Sequence, residues 1–404
     1  MQPGADPLSR SGLLLSERIR AMEAHSVWAE IDLQAIAHNL GEIRRLVAPQ
    51  TEIMAVVKAD GYGHGALQVA RTALEHGATR LAVARGDEAL SLREAGIDAP
   101  ILVFGGVPAG QLQRLIGYDL TFTIFSRTMA ETLSAAALQA GRALSVHLKV
   151  DTGMGRLGFN RDPLALDDRP ERRIQREILA VAAMPGLELE GIYTHFASAD
   201  ASDKTFAHWQ FRLFMELLEM LSRDGLHFPL RHAANSAAIL DLPDAHLDLV
   251  RAGIMLYGLS PTSDRGRPDI DLRPAMQFKT RISQIKEVPA GFPVSYGSSY
   301  RTMQSTRLAT VSVGYADGLN RLLSSRVNML VKGVRVPVVG RICMDQSVLD
   351  VGAVPGVRCG DEVVVFGRQG AAELPVGELA ALLDTINYEI VSTLTARVPR
   401  IYPG

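Results

Sequence analysis

The amino-acid sequence predicts an α/β fold in which a (β/α)8 barrel is followed by a β-rich, barrel-like C-terminal domain. Two patterns predict it. Eight apolar, β-prone runs alternate with segments of helical periodicity, and after residue 264 short strands separated by Gly and Pro replace most of the helices. A third observation is that charged, polar and glycine residues collect where the apolar runs end. In a barrel these ends meet at one face, where barrel enzymes carry their active sites.

Composition sets the broad class of the protein. The chain has 404 residues, 47% hydrophobic and 21% charged, with a formal net charge of -2. This balance is typical of a globular protein with a sizeable core and does not suggest nucleic acid or a membrane as a partner. Two cysteines, Cys343 and Cys359, are too few for a disulfide framework and fit a reducing compartment, so we expect a cytoplasmic protein. Residues 1–26 are expected to be an N-terminal extension, partly flexible, without a secretory signal.

The barrel prediction depends on eight runs between residues 53 and 254. They lie at 53–58, 80–84, 101–104, 120–124, 145–150, 189–195, 230–234 and 249–254. Helical periodicity fills most of the intervals, most clearly at 65–75, 87–94, 127–140 and 208–223. A doubly wound open sheet would show the same alternation, so periodicity alone leaves both architectures open.

The predicted domain boundaries follow the same change of pattern. Residues 27–263 are assigned to the barrel domain and residues 264–404 to the C-terminal β domain. The alternating stretch 28–33 precedes the first barrel strand and is expected to join the β domain. Further strands are predicted at 278–288, 307–313, 334–339 and 362–366, with one helix near 376–384.

Lys58 ends the first of the eight apolar runs. Burial of a lysine is unfavourable unless the side chain has a partner or a function, because the ammonium loses its hydration. A desolvated lysine with a lowered pKa is the form that joins an aldehyde cofactor as an imine. Gly61, Gly63 and Gly65 follow and allow a bulky ligand to approach the backbone closely.

Other predicted strands end in residues suited to cofactor chemistry. They are Lys149, Asp151, His195, Asn235, Ser236, Arg251, Gly253 and Ile254. His195 could instead be a hydrogen-bonded core histidine, and Asn235-Ser236 could be an ordinary helix N-cap. Arg251 must be paired wherever it is buried. Because barrels often bind phosphate after their last strands, a lysine combined with such an end suggests pyridoxal 5'-phosphate as the cofactor.

Several motifs together resemble one family, the bacterial alanine racemases. They are AVVKADGYGHG at 55–65, KVDTGMGRLG at 149–158, THFA at 194–197, NS at 235–236, RAGIMLYG at 251–258, SYG at 295–297, GYADG at 314–318, GRICMDQ at 340–346, NYE at 387–389 and RVPR at 397–400. The resemblance extends in order from Trp28 to Tyr402, and only the N-terminal extension lies outside it.

The resemblance implies an isomerase that interconverts L-alanine and D-alanine and supplies D-alanine for peptidoglycan. It implies a head-to-tail homodimer with two shared active sites. Lys58 and Tyr296 of the partner subunit would be the two catalytic bases on opposite faces of Cα. His195 and Arg251 would form the relay that tunes the tyrosine, and Arg251 would face the pyridine nitrogen.

The remaining site residues are also implied by the resemblance. Cofactor binding is assigned to Lys58, Tyr62, Asn235, Ser236, Arg251, Gly253, Ile254 and Tyr388. The substrate carboxylate would be bound by Arg156 and by the backbone of Met344 of the partner subunit. Lys149 resembles a lysine that the family often carries as a carbamate, and no metal site is expected. Polar residues of the substrate access passage would be Asp200, His232, Arg321 and Arg341.

Two other functions are compatible with parts of this pattern. A racemase of broader specificity, or one acting on serine or lysine, would share the architecture, although bulky residues at Ile386, Tyr388 and Met344 favour a short side chain. A non-catalytic pyridoxal-phosphate carrier protein would resemble the barrel alone, without the β domain that carries Tyr296. A decarboxylase is disfavoured, because the segment at Met344 does not resemble a decarboxylase cysteine loop.

Overall fold

The computed structural model describes residues 25–160, 170–262 and 269–403. The chain divides into two compact units. One comprises Gln34–Arg273, and the other combines the segment up to Leu33 with the chain from Pro274 onward. Strand β1, Val27–Ile31, belongs to the second unit. No helix in the described part of the chain is long and apolar enough to cross a membrane.

Eight parallel strands form the barrel of the first unit, and one short strand is attached to them. In chain order they are β2 Glu52–Val56, β3 Arg80–Val83, β4 Ile101–Val103, β5 Thr121–Ile124, β6 Leu144–Asp151, β7 Phe159–Asn160, β8 Leu187–Tyr193, β9 Leu230–His232 and β10 Leu249–Ala252. The paired order is β10-β2-β3-β4-β5-β6-β8-β9, with β7 beside β6. Each of the eight predicted runs overlaps one of the eight barrel strands.

Backbone hydrogen bonds between the segments that contain β9 and β10 bring the two ends of this sheet together. Arg231 O accepts from Asp248 N at 3.1 Å, and Ala234 O accepts from Arg251 N at 3.0 Å. The prediction of a barrel is therefore confirmed, and the open doubly wound alternative is excluded. Because all eight strands run parallel, their carboxyl ends meet at one rim.

Helices follow most of the barrel strands. The described helices are α1 Leu33–Leu46, α2 Ala66–Glu75, α3 Gly86–Glu94, α4 Ala109–Leu115, α5 Arg127–Ala140, α6 Pro170–Ala182, α7 Thr205–Arg223 and α8 Ser236–Asp241. Their limits follow local signals. Ser126 caps α5 by accepting from Met129 N at 3.3 Å, and Gly141 ends that helix with a left-handed φ of 64°.

The second unit is β-rich, as predicted. Its later strands are β11 Met276–Val288, β12 Pro293–Val294, β13 Tyr300–Arg301, β14 Thr306–Val311, β15 Asn328–Val331, β16 Val334–Pro337, β17 Ser347–Asp350, β18 Glu362–Gln369, β19 Ala372–Leu374 and β20 Arg400–Ile401. Two helices, α9 Val376–Leu382 and α10 Asn387–Ser392, follow β19. The sequence predicted one helix in this region and missed α10.

The long strand β11 organises the sheet of the second unit. It pairs antiparallel with β1 and β18 in its first half and with β14 in its second half. The register shifts between Phe278 and Lys279 and again between Ile282 and Gln284. Such bulges bend a strand and increase its twist, which allows one strand to serve different neighbours along its length.

Candidate active site at the barrel rim

Lys58 lies two residues after the end of β2 and is therefore at the carboxyl-end rim of the barrel. Its side chain is partly buried. Burial lowers the pKa of its ammonium, and the positive charge of Arg156 lowers that pKa further. Nζ lies 5.9 Å from the centre of the Tyr62 ring. A lowered pKa increases the fraction of neutral amine, which is the form that attacks an aldehyde.

Residues 59–62, between Lys58 and α2, form a left-handed turn with φ between 52° and 60°. This conformation costs about 1–2 kcal/mol for each residue other than glycine. Polar contacts hold the turn in place. Glu88 Oε1 accepts from Ala59 N at 2.6 Å, and Asp60 Oδ1 accepts from Ala66 N at 2.9 Å. The turn thereby fixes the directions of the lysine before it and the tyrosine at its end.

Ser236, Gly253 and Tyr62 converge beside the last strand of the barrel. Ser236 Oγ accepts from Gly253 N at 3.0 Å. A Cβ at position 253 would lie 3.2 Å from Tyr62 Oη and 3.4 Å from Ser236 Oγ. Two hydroxyl groups therefore face a stretch of backbone kept open by the absence of a side chain. Hydroxyl and amide donors of this kind bind phosphate oxygens.

Asn235 and Ile254 flank this cluster in the sequence. Asn235 Oδ1 accepts from Ala238 N at 3.0 Å, so the side chain acts as the N-cap of α8. Ile254 is fully buried and begins the 3-10 helix Ile254–Tyr257. Tyr257 Oη donates to Val56 O at 2.9 Å and connects this segment to the end of β2, two residues before Lys58.

Arg251 is buried in β10 and donates to four acceptors. One guanidinium nitrogen contacts His232 Nδ1 at 3.0 Å. The other contacts His195 Nδ1 at 3.0 Å, Thr194 O at 3.0 Å and Ala233 O at 2.9 Å. Among the described residues, no carboxylate forms an ion pair with this guanidinium. Burial lowers the pKa of Arg251 to about 10, so it stays charged at neutral pH.

His195 receives its hydrogen bond from Arg251 on Nδ1. Because an arginine only donates, that nitrogen carries no proton, and the neutral ring carries its proton on Nε2. Burial lowers the pKa of His195 well below its usual value, and the charge of Arg251 lowers it further. The ring is therefore a neutral donor of fixed tautomer at the rim.

Lys149 lies on β6 with its side chain buried. Nζ donates to Val150 O at 2.7 Å and lies 5.4 Å from the centre of the Tyr193 ring. Burial and then the charge of Arg251 lower the pKa of Lys149 to about 7, against the opposing effect of Asp151. At neutral pH a large fraction of this amine is unprotonated.

Asp151 shapes the loop that presents Arg156. Its Oδ1 accepts from the amides of residues 153–155 at 2.8–3.1 Å, and its Oδ2 accepts from Arg156 N at 3.1 Å. Gly158 closes the loop with φ of 130°, where a Cβ would lie 2.5 Å from Asp151 N. Arg156 itself is exposed.

Tyr296 and Met344 lie on exposed loops of the C-terminal unit. Their side chains are 71% and 52% exposed. Ser295 Oγ donates to Arg341 O at 2.6 Å, which connects the tyrosine loop with the methionine loop. The loops that carry these two side chains are therefore adjacent in this unit.

A second set of contacts secures the loop that carries Met344. Arg397 forms ion pairs with Asp317 at 3.0 Å and with Asp345 at 2.9 Å. Met344 O accepts from Ala316 N at 3.0 Å. In the same unit, Tyr388 lies on α10 and is half-buried.

The four residues predicted for the substrate access passage occupy different surroundings. Asp200, Arg321 and Arg341 are exposed. His232 is fully buried and stacks on Tyr193 with the ring centres 4.6 Å apart. A side chain in this position cannot line a passage from solvent, so that interpretation of His232 is wrong.

The sequence interpretation missed a layer of polar residues inside the barrel, formed by Arg80, His147, Glu190 and Tyr193. A signal for one of them was present. In β6, polar residues at 147, 149 and 151 alternate with apolar residues at 146, 148 and 150. This period-2 pattern indicates a polar face, and the face points into the barrel. Among the described residues, no group of His, Cys, Asp and Glu could hold a metal ion.

The barrel, the partly buried Lys58 and the buried Arg251 at its rim define a barrel enzyme with a lysine-centred site. Comparison with known proteins gives the family. The alanine racemase N-terminal domain model matches residues 31–261, and the C-terminal domain model matches residues 275–402. The chain belongs to the alanine racemase family, which confirms the resemblance.

Individual relatives agree with this assignment over nearly the whole chain. The alanine racemase of Desulfosudis oleivorans is 54% identical over 94% of this chain and 97% of its own length. That of Desulforamulus reducens is 52% identical over 94% of this chain and 99% of its own. Among solved structures, alanine racemase from Streptomyces lavendulae is 39% identical with a TM-score of 0.87, covering 94% of this chain and 97% of that one.

Proposed function

We propose that this protein interconverts L-alanine and D-alanine with pyridoxal 5'-phosphate as cofactor and supplies D-alanine for peptidoglycan in the cytoplasm. The observation that carries the proposal is the combination, at one barrel rim, of a lysine with a lowered pKa and a buried arginine held by histidines. Both free cysteines are consistent with a reducing compartment. Family membership narrows the chemistry to amino-acid racemisation.

The residues at the rim fit this cofactor. When bound, pyridoxal phosphate supplies an aldehyde and an electron-withdrawing ring that make the Cα proton of an amino acid acidic. Lys58 would hold the aldehyde carbon and Arg251 would face the ring nitrogen. The phosphate would be bound by Tyr62, Ser236 and Tyr388 and by the backbone of 253–254, with Asn235 capping the adjoining helix. The opening left by Gly253 between two hydroxyl groups supports this assignment.

Arg251 suits a racemase because it keeps its proton. Its pKa of about 10 lies well above neutrality, so it would offer a cation to the ring nitrogen but not a transferable proton. Held in this way, Arg251 would leave the ring nitrogen unprotonated and would limit how much charge the ring withdraws from Cα. That would favour return of the proton to Cα, and therefore racemisation over amino-group transfer.

Racemisation requires acid-base groups on both faces of Cα. Lys58 would serve one face, and Tyr296 of the partner subunit would serve the other. A tyrosine begins with a pKa near 10 and needs cationic or hydrogen-bonding neighbours to work near neutrality. His195, fixed by Arg251 with its proton on Nε2, can supply such a hydrogen bond. The exposure of Tyr296 in the single chain is consistent with a role toward a second copy.

The substrate carboxylate would be bound by Arg156 and by the backbone of Met344 of the partner subunit. The loop tied to Asp151 presents Arg156 outward from β6. A carbamate on Lys149 would place a negative charge near Arg156 and orient it. The lowered pKa of Lys149, about 7, supports this modification, since the neutral amine is the form that reacts with carbon dioxide. Asp200, Arg321 and Arg341 would line the access passage.

The test is racemisation of L-alanine and D-alanine by the purified protein, followed by chiral chromatography. We expect both directions to proceed, Lys58→Ala to be inactive, and Tyr296→Phe to lose activity while retaining bound cofactor. Borohydride reduction should attach the cofactor to the peptide that contains Lys58. Activity on serine or lysine equal to that on alanine would contradict the substrate assignment. Cofactor binding without racemisation of any amino acid would contradict the reaction.

A further inference from the structure

Arg251 stands at one end of a line of polar side chains that runs into the barrel. We propose that Glu190 and His147 are positioning residues for Arg251, acting through His232 to fix the direction of its guanidinium. The inference rests on the proposed function, because it explains how the arginine assigned to the cofactor ring is held. Neither residue was identified from the sequence.

The line is continuous in hydrogen-bond distances. His232 Nδ1 lies 3.0 Å from the Arg251 guanidinium, and His232 Nε2 lies 2.9 Å from His147 Nδ1. His147 Nε2 lies 3.2 Å from Glu190 Oε2. Glu190 Oε1 in turn accepts from Arg80 at 2.6 Å. Side chains from five barrel strands thereby form one chain of contacts.

The direction of each hydrogen bond follows from the residues at the two ends of the line, Arg251 and Glu190. Arg251 only donates, so His232 accepts on Nδ1 and carries its proton on Nε2. That proton is donated to His147 Nδ1, and His147 therefore carries its own proton on Nε2. A carboxylate at position 190 accepts it. A neutral histidine has one donor and one acceptor, and both rings satisfy both requirements without a second proton.

The charges agree with this assignment. Burial lowers the pKa of His147, and burial together with the charge of Arg251 lowers the pKa of His232 well below its usual value. Burial raises the pKa of Glu190, but the hydrogen bond from His147 and the ion pair with Arg80 outweigh it and lower that pKa. Two neutral rings thus connect a cation to an anion.

Packing fixes the orientation of both rings. A Cβ on Gly191 would lie 2.7–2.8 Å from three atoms of the His147 ring, so this ring occupies space that only glycine leaves free. The ring of His232 stacks on Tyr193 at an interplanar angle of 9°. Rings confined in this way cannot turn to exchange their nitrogens. The proton arrangement at Glu190 is therefore transmitted to Arg251.

Glu190→Gln tests this chain of hydrogen bonds with almost no change in the shape of the side chain. Arg80 requires an oxygen at 2.6 Å, so the amide NH2 of the new side chain would face His147. His147 would then accept on Nε2 and carry its proton on Nδ1, and His232 would present an N–H to Arg251. Donor would face donor. We expect kcat for alanine racemisation to fall roughly 10–100-fold, as when outer partners of a site residue are lost, with little change in KM.

Glu52→Gln is the matched control. Glu52 Oε2 accepts from Arg80 at 2.9 Å on the other side of the same guanidinium, but it is not a partner of His147. Both variants remove one carboxylate from Arg80, so both carry the same loss of ion pairing. We expect Glu52→Gln to keep kcat close to that of the original protein. Equal losses in the two variants would show that Arg80 pairing alone matters and would overturn the proposal.

Two further measurements do not depend on the folding of the Glu190→Gln variant. ¹⁵N NMR of imidazole-labelled, cofactor-loaded protein should show neutral His147 with its proton on Nε2, assigned by its absence in His147→Gln. A proton on Nδ1, or a charged ring, would overturn the proposal.

The second measurement compares two substitutions of His147. His147→Gln keeps a donor and an acceptor and should retain more activity than His147→Leu; equal activities would also overturn the proposal. Absence of alanine racemisation in the unmodified protein would reject the proposed function instead, while the NMR result would stand by itself.

Discussion

Lys149 is the side chain whose ionisation is most clearly coupled to folding. Its amine is buried near the positive charges of Arg251 and Arg156, and its pKa in the folded protein is about 7 against an ordinary value of 10.5. The folded state therefore disfavours the ammonium. A carbamate would replace that cation with an anion beside the same two arginines. The neutral amine and the carbamate both bind fewer protons than the lysine of the unfolded chain. The free energy of unfolding therefore changes with pH in the same direction for either form.

The first consequence is a pH dependence of stability. Between pH 7 and 10.5 the unfolded state binds the lysine proton more fully than the folded state, so the free energy of unfolding rises with pH by up to about 1.4 kcal/mol per unit. We expect the difference in unfolding free energy between the original protein and Lys149→Met to shift in favour of the original from about pH 7 to about pH 9, measured by urea titration. Lys286→Met, which removes an exposed lysine, controls for the lost charge.

The same variant tests the carbamate. With ¹³C-bicarbonate in the buffer, a ¹³C carbamate resonance should be present in the original protein and absent from Lys149→Met. A pH dependence that is identical in the two proteins would contradict the lowered pKa of Lys149. A pH dependence without the carbamate resonance would retain the lowered pKa and reject the modification.

At the scale of elements, the left-handed turn after β2 is the strained part of the site. Three of its residues other than glycine have positive φ, and backbone hydrogen bonds accepted by the carboxylates of Glu88 and Asp60 hold them there. Strain of this kind persists only where surrounding contacts over-determine the backbone. Here the strained turn fixes the positions of Lys58 and Tyr62 relative to each other, which a relaxed loop would not do.

Substitutions in this turn should have opposite effects. Ala59→Gly removes a Cβ at φ of 52° and should leave the free energy of unfolding equal or higher by up to about 1–2 kcal/mol. Gly61→Ala adds a Cβ that would lie 3.2 Å from the backbone of Ala66 at φ of 60°. It should lower the unfolding free energy by about 1–3 kcal/mol and weaken cofactor binding. Thermal unfolding and cofactor titration measure the two effects.

Gly41→Ala is the control for this pair. Gly41 lies in α1, and a Cβ there would have no atom within 4 Å. Alanine should stabilise that helix by about 0.5–1 kcal/mol and leave cofactor binding unchanged. If Gly61→Ala were as well tolerated as Gly41→Ala, the turn could not be strained as described.

At the scale of the whole molecule, the sequence predicted most of the fold but not the polar side chains inside the barrel. The eight apolar runs and the residues at their ends predicted the barrel and Lys58, Lys149, His195 and Arg251 at its rim. The turn at 59–62 resembled any glycine-rich loop, because the sign of φ at Ala59 has no signature in the sequence. The row of hydrogen-bonded side chains from Arg251 to Glu190 could not be predicted from the sequence either. Its members come from strands far apart in the chain, and a register shift between Val146 and His147 decides which side chains meet.

The proposed homodimer, in which each site takes Lys58 from one copy and Tyr296 from the other, makes a prediction that concerns the whole assembly. Lys58→Ala and Tyr296→Phe should each be inactive alone. In a mixed dimer of the two variants, one site carries both substitutions and the other carries neither. After unfolding and refolding of an equal mixture, half of the dimers are mixed and each has one intact site. About a quarter of the original activity should therefore return.

A chain that supplied both residues to its own site would give a different result. Every site in the mixture would then carry one substitution, and no activity would return at any mixing ratio. A mixture of Lys58→Ala and Arg251→Ala provides the control. Both residues belong to the barrel unit, so each site takes both of them from the same copy. Their mixture should stay inactive, because each site formed from either barrel lacks one of the two residues. Recovery in the first mixture alone would therefore identify Tyr296 of the partner subunit as the second base.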